Sequence, residues 1–259
     1  MELAIDTSSN IAGIALSHQG EILIELTWRT AQNHTVELTP NIARLLQQVN
    51  IEANAIEAII VAKGPGSFNG LRVGISTAKG LAFSLDVPLL GVSTLEIEAY
   101  PFAYTGVPLR PIHKAGREEI ATALYQQINN EWCCLEKEYL TTLDALYQQT
   151  HQETLFCGEI SPDIANAIQQ NLGKRAIIPQ TTGVPRVSFL AMLGWQKLNK
   201  GEKDDLATLQ PLYLRPPHIT KPRKAIYQSP CSASERQGGS LNKAKERRIG
   251  DANSKIGPC

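Results

Sequence analysis

Phosphate binding is the first chemistry this sequence raises. Lys63–Gly74, KGPGSFNGLRVG, places four glycines and a proline in twelve residues, directly after the apolar run EAIIVA. Glycine at that density marks a backbone that turns sharply or comes very close to something. Ahead of a helix, such a loop can offer free N–H groups and the positive end of the helix dipole to an anion. The spacing fits neither phosphate fingerprint. Gly64 and Gly70 are six apart rather than five, and Leu71-Arg72 stands where a P-loop needs Lys followed by Ser or Thr. Gly64, Gly66 and Gly70 also miss G-x-G-x-x-G by one position. Gly64, Gly66, Ser67, Gly70 and Arg72 therefore form a candidate site whose glycines need another explanation.

Asp6-Thr7-Ser8 is a second candidate. It ends the first apolar run and opens a turn. An acid there could reach a metal's water shell, but the same residue types also stabilise turns by bonding local N–H groups. Histidine offers no metal pair: among His18, His34, His113, His151 and His218 no two are three to five apart. No G-x-S-x-G elbow is present, and no histidine lies near Ser67 in sequence to act as its base. His34 reads as a turn residue, with Thr35 a candidate helix N-cap. Cys133, Cys134, Cys157, Cys231 and Cys259 form no C-x-x-C, so neither a disulfide framework nor a zinc site follows. They read as reduced thiols in the cytosol.

Two successive runs of elements position these residues. The first reads as strands at 2–6, 11–17 and 21–28, a helix at 35–49, a buried strand at 55–63, a helix at 71–85 and a strand at 87–93. The second reads as strands at 108–113, 120–127 and 131–140, a helix at 141–150, a strand at 153–159, a helix at 163–173 and a strand at 175–179. A closing helix covers 188–201. Laid over each other, the runs match with one extra turn residue in the second, and IAGIAL falls on IATAL. Lys114-Ala115-Gly116 then occupies the turn that matches Asp6-Thr7-Ser8, without an acid, so two acidic hairpins gripping a nucleotide symmetrically are not expected. Duplicated βββαβα halves facing across a cleft describe a two-lobed actin-like (ASKHA, RNase H-like) α/β fold. An unrelated α/β protein with two antiparallel-edged sheets fits the pattern as well. The expected boundaries are 1–105 for the first lobe, 106–220 for the second and 221–259 for a tail.

The glycine-rich helix has one further property. Gly70, Gly74, Ala78 and Ala82 recur every four residues and so share a face almost without side chains. Leu38, Ile42, Leu45 and Val49 give the preceding helix an apolar stripe. These two stripes can pack on the chain's own sheet. They can also admit another helix closely, near the short end of the ~8–10 Å interaxial range. The second use is the expectation here, with Val73, Leu81, Leu85 and Leu46 left to face the sheet.

Composition excludes several classes. Lys+Arg and Asp+Glu are 25 each, so no global field draws the chain to nucleic acid or an anionic membrane. No apolar run approaches the ~18 residues of a membrane helix, and Met1–Asp6 carries acids rather than a basic leader. From Lys221 onward nine Lys/Arg stand against three Asp/Glu in a segment poor in apolar residues. That segment reads as a disordered basic tail.

LAIDTSSNIAGIAL, NHTVELTPNIARLL, VAKGPGSFNGLRVGISTAKGLAF and GVSTLE, in that order from Leu3 to Glu96, resemble the TsaB (YeaZ) family, with PLYLRPPHIT (211–220) a further match. The resemblance implies an actin-like fold and a non-catalytic, cytoplasmic subunit of the machinery that makes N6-threonylcarbamoyladenosine at position 37 of tRNA. It implies binding to the catalytic subunit TsaD through first-lobe helices in a four-helix bundle, with a homodimer possible by the same surface. The ATPase TsaE joins, and tRNA is met only through the complex. No metal or cofactor is implied for this chain alone, with ATP and Mg²⁺ entering only in the complex. Family members commonly open the second lobe with a DAR-like turn, where this chain has Lys114-Ala115-Gly116. An active actin-like ATPase or kinase using Asp6, Thr7 and Ser8 is the alternative. A peptidase is a remote one.

Overall fold

The computed structural model describes residues 1–30, 33–116, 118–179 and 186–214. The tail expected at 221–259 and residues 215–220 of the last motif lie outside these residues. Strands β1 (Glu2–Asp6), β2 (Ile11–His18), β3 (Glu21–Arg29), β4 (Ala58–Gly64) and β5 (Leu89–Ser93) form one mixed sheet in the order β3-β2-β1-β4-β5. Strands β6 (Leu109–Lys114), β7 (Glu119–Ile128), β8 (Glu131–Thr142), β9 (Thr154–Gly158) and β10 (Ala176–Ile177) form the other in the order β10-β9-β6-β7-β8. Each sheet is an antiparallel three-stranded meander whose first strand pairs in parallel with the next strand along the chain. The molecule is thus an α/β protein with two similar mixed sheets.

Helices cover the sheets because the strands are apolar on both faces. Leu3, Ile5, Ile59 and Val61 point to one side of the first sheet, where α1 (His34–Gln48) and α2 (Phe68–Leu85) lie. Ala4, Ala15, Ile60 and Ala62, the alternate residues, point to the other, against Leu190, Ala191 and Leu193 of α6 (Val187–Asn199). On the second sheet, Ile112, Ile120 and Phe156 meet α4 (Leu143–Gln149) and α5 (Pro162–Leu172). Its opposite face meets α3 (Thr94–Ala99) through Leu95 and Ala99. The strands of the two sheets separate near residue 105, but these helices cross over. α3 follows the first sheet in sequence and packs on the second, while α6 follows the second and packs on the first.

This packing corrects the expected use of the two stripes. Leu38, Ile42 and Leu45 of α1, with Ala78 and Ala82 of α2, sit in the core against the chain's own first sheet. Each fully buried Leu or Ile contributes roughly 1.5–3 kcal/mol, so neither helix can release that face to a partner. The apolar spacing was right about which residues share a face and wrong about what the face meets.

Candidate functional site

The glycine loop is shaped by the first hairpin. β4 ends at Gly64, whose φ of 106° lies where only glycine is at ease. Ser67 then caps α2, its Oγ accepting from the Gly70 N–H at 3.3 Å. The hairpin turn between β1 and β2 rests on this loop: Ser67 N donates to Ser8 O at 2.7 Å, and Thr7 Oγ1 donates to Gly70 O at 2.7 Å. A Cβ on Gly66 would stand 2.3 Å from Ser8 O, one on Gly70 2.1 Å from Thr7 O, and one on Gly74 2.2 Å from Thr7 Oγ1. Glycine is required there by the chain's own turn. Arg72 does not reach into the loop; its guanidinium lies 3.9 Å from the centre of the Phe68 ring, and Nε donates to Tyr213 Oη at 3.1 Å. His34, buried beneath the same turn, is held below the usual histidine range by burial, against the pull of Glu37 and Asp6.

Asp6 lies at the edge of a cavity of about 1020 Å³ between the two sheets. Both its carboxylate oxygens are engaged. Oδ1 accepts from Ser8 N at 2.9 Å and Ser8 Oγ at 2.6 Å, while Oδ2 faces Arg186 Nε at 3.3 Å. The other guanidinium nitrogens of Arg186 bind Glu98 Oε1 at 3.0 Å and Ser9 Oγ at 2.6 Å. Burial pushes the Glu98 carboxyl up to about 7, with Arg186 opposing and the Glu159 charge adding to the rise. Across the cavity, His113 Nδ1 is 3.5 Å from Glu159, and burial holds this imidazole below its usual range. Asp6, Glu98, Glu118, Glu119, Glu159 and Asp163 line the cavity; among the described residues its cations are Lys114 and Arg186. That balance repels a polyphosphate. No group of three or more His, Cys, Asp or Glu among the described residues is disposed to hold a metal ion.

The outward faces of α1 and α2 are the other candidate. Val36 is 69% and Phe83 79% exposed, and Phe68 is also exposed. Gly80, on the same outward side of α2, would meet no atom within 4 Å if given a Cβ. Val73 and Val49 are half-buried at the margins of the core.

The structure therefore brings together Asp6, Thr7 and Ser8 with Gly66, Ser67, Gly70 and Gly74, as turn and seat. It places Leu38, Ile42, Leu45, Gly70, Gly74, Ala78 and Ala82 inside the chain, so the surface expected of them is not theirs to offer. Two site residues escaped sequence reasoning. Arg186 stands in no motif, and its partners Asp6 and Glu98 are remote in sequence. Glu98 belongs to α3, an element with no apolar periodicity to reveal it.

Comparisons with known proteins bear on most of the chain. A family model described as "TsaD: tRNA N6-adenosine threonylcarbamoyltransferase" matches residues 28–222. The tRNA threonylcarbamoyladenosine biosynthesis protein TsaB of Bacillus subtilis (strain 168) is 34% identical over 217 residues, spanning 82% of this chain and 93% of that protein. TsaB of Haemophilus influenzae is 40% identical over 95 residues, 36% of this chain and 39% of the relative. The solved structure of YeaZ from Pseudomonas aeruginosa has the same fold, with a TM-score of 0.68 and 24% identity, covering 82% of this chain and 99% of that one. With a likeness that spans most of both chains, the chain belongs to the TsaB (YeaZ) family, within the wider family that the TsaD model describes.

Proposed function

We propose that this chain is a non-catalytic subunit of the complex that forms N6-threonylcarbamoyladenosine on tRNA, and that it binds and supports the catalytic subunit TsaD. The fold is then a two-lobed actin-like one whose first lobe holds the docking helices. The observation that carries this reading is the outward face of α1 and α2. Two long helices are fixed to the first sheet by one side and expose Val36 and Phe83 on the other. Apolar side chains on paired helices suit a four-helix interface with two helices of a partner. The same face can serve a homodimer until the partner arrives. TsaE joins the assembly, tRNA is met through it, and ATP with Mg²⁺ acts there rather than on this chain alone. The engagement of both Asp6 oxygens supports that division. No observation favours a peptidase: among the described residues neither Ser8 nor Ser67 hydrogen-bonds to a histidine.

Gly80→Glu and Phe83→Asp test the reading, because both positions face away from the core and both variants are expected to keep the fold. Mixed with TsaD and run on a sizing column, each is expected to lose the heterodimer while keeping the wild-type circular dichroism. Heterodimer formation at wild-type affinity by both variants removes this face as the docking surface.

A further inference from the structure

An actin-like architecture implies Mg-ATP between its sheets, and the residues present do not fit it. Asp6 is the acid such a site would use; its Oδ1 already accepts twice from Ser8, and its Oδ2 is turned to Arg186 rather than to open space for a metal. We infer that Arg186 is a resident counter-cation that stands in place of a metal, closing the Asp6 end of the cavity with a charge the chain carries itself. The geometry is that of a built site. All three guanidinium nitrogens are used, one each on Asp6, Glu98 and Ser9, and the two carboxylates come from β1 and α3, elements remote in sequence. Arg186 directly precedes α6, whose first residue, Val187, packs 3.0 Å from where a Cβ on Gly13 of β2 would lie. The planar guanidinium thus sits at a point where the hairpin, α3 and the start of α6 meet. A fixed cation there pairs with two buried acids, which ionised and unpaired would be strongly destabilising. It also occupies the place between Asp6 and Glu98 that a divalent ion would need.

The inference stands apart from the partner reading, and its test contains no partner. The full chain is melted by scanning fluorimetry with and without Mn²⁺ and ATP. Wild type is expected to show no shift with either. Arg186→Met keeps the side chain's length without its charge and is expected to melt about 6–20 °C lower. Mn²⁺ should restore part of that loss, since it can take the place between Asp6 and Glu98, and should do nothing to wild type. In Asp6→Asn/Glu98→Gln/Arg186→Met no charge needs compensation, so this variant should melt well above Arg186→Met and ignore Mn²⁺. A folded Arg186→Met that melts like wild type, or gains nothing from Mn²⁺, overturns the proposal. So does wild type that binds Mn-ATP and loses it with Asp6→Ala. If Arg186→Met does not fold, the triple variant decides: recovery of the fold supports the proposal, and failure to recover overturns it.

Discussion

The two sheets share a strand order but not the helices laid on them. α1 and α2 have 15 and 18 residues; α4 and α5, in the same positions on the second sheet, have 7 and 11. The hairpins differ too. In both halves the loop after the central parallel strand donates an N–H to the hairpin, Ser67 N to Ser8 O and Glu159 N to Ile112 O, each at 2.7 Å. In the first half the contact continues up the helix, Thr7 resting on Gly70 and Gly74. In the second, α5 has no glycine, and Lys114, Gly116 and Glu118 of the turn line the cavity instead. Val36, Phe68 and Phe83, exposed, all lie on α1 and α2; among the described residues no large exposed apolar side chain lies on α4 or α5. One topology thus yields a half with its helices fastened to its hairpin and an apolar face turned outward, and a half trimmed to the needs of its own core.

The sharpest way to break this comparison lies within α2. Gly74→Leu puts a side chain where Thr7 Oγ1 would be 2.2 Å from its Cβ. It should cost at least ~1–3 kcal/mol from overpacking, and lift Thr7 off Gly70. Gly80→Ala, less than two turns further on, meets no atom and removes a helix-weakening glycine, so it should gain up to ~1 kcal/mol. Urea unfolding of the two variants should move in opposite directions. Equal losses would mean that the inward and outward sides of α2 are not distinct.

That contrast marks how far the sequence could be read. Strand and helix positions were legible because of apolar residues at a period of two, as in EILIELTW, or of three to four, as in NIARLLQQ, and because of short unbroken apolar runs such as EAIIVA. The duplication was legible in the matching turns. The stripe of Gly70, Gly74, Ala78 and Ala82 was legible as a face, but small side chains mark close approach without naming what approaches. For the two glycines the answer was Thr7, sixty-three residues before Gly70, and for the two alanines the core on the first sheet. TLEIEA was not legible as a helix. All six of its residues are buried, so it has no polar face, and its two acids are neutralised by Arg186 and Lys197 from far along the chain.

The seat of the first hairpin and the cavity beside it also differ in how buried groups respond to pH. His34 has its folded pKa below the ordinary 6.5 because burial disfavours the charged ring. Its contribution to stability is present above that value and lost as pH falls through the lower folded one. Glu98 behaves in the opposite sense. Its folded pKa is about 7 against an ordinary 4.5, so its contribution is full below 4.5 and lost as pH rises through about 7. The loss amounts to up to about 3 kcal/mol. Thermal unfolding from pH 5 to 8 should therefore show Glu98→Gln holding its stability at the alkaline end better than wild type. His34→Gln should hold better at the acid end. A Glu98→Gln profile parallel to wild type would mean that Arg186 keeps this carboxyl ionised throughout.

The smallest effect expected is the one the two halves should share. Ser67 caps α2 through Gly70 N at 3.3 Å, and Ser161 caps α5 through Ile164 N at 3.4 Å. The chemistry is the same, a hydroxyl oxygen accepting from the third residue of the helix, and each Ser→Ala change should cost about 1 kcal/mol. Equal losses in denaturant titrations would place the divergence of the halves beyond the cap, at Thr7 and Gly74. A markedly larger loss for Ser67→Ala would show that the cap also holds the hairpin in its seat. The difference between the halves would then begin in the glycine loop itself, one turn earlier than the packing of Thr7 suggests.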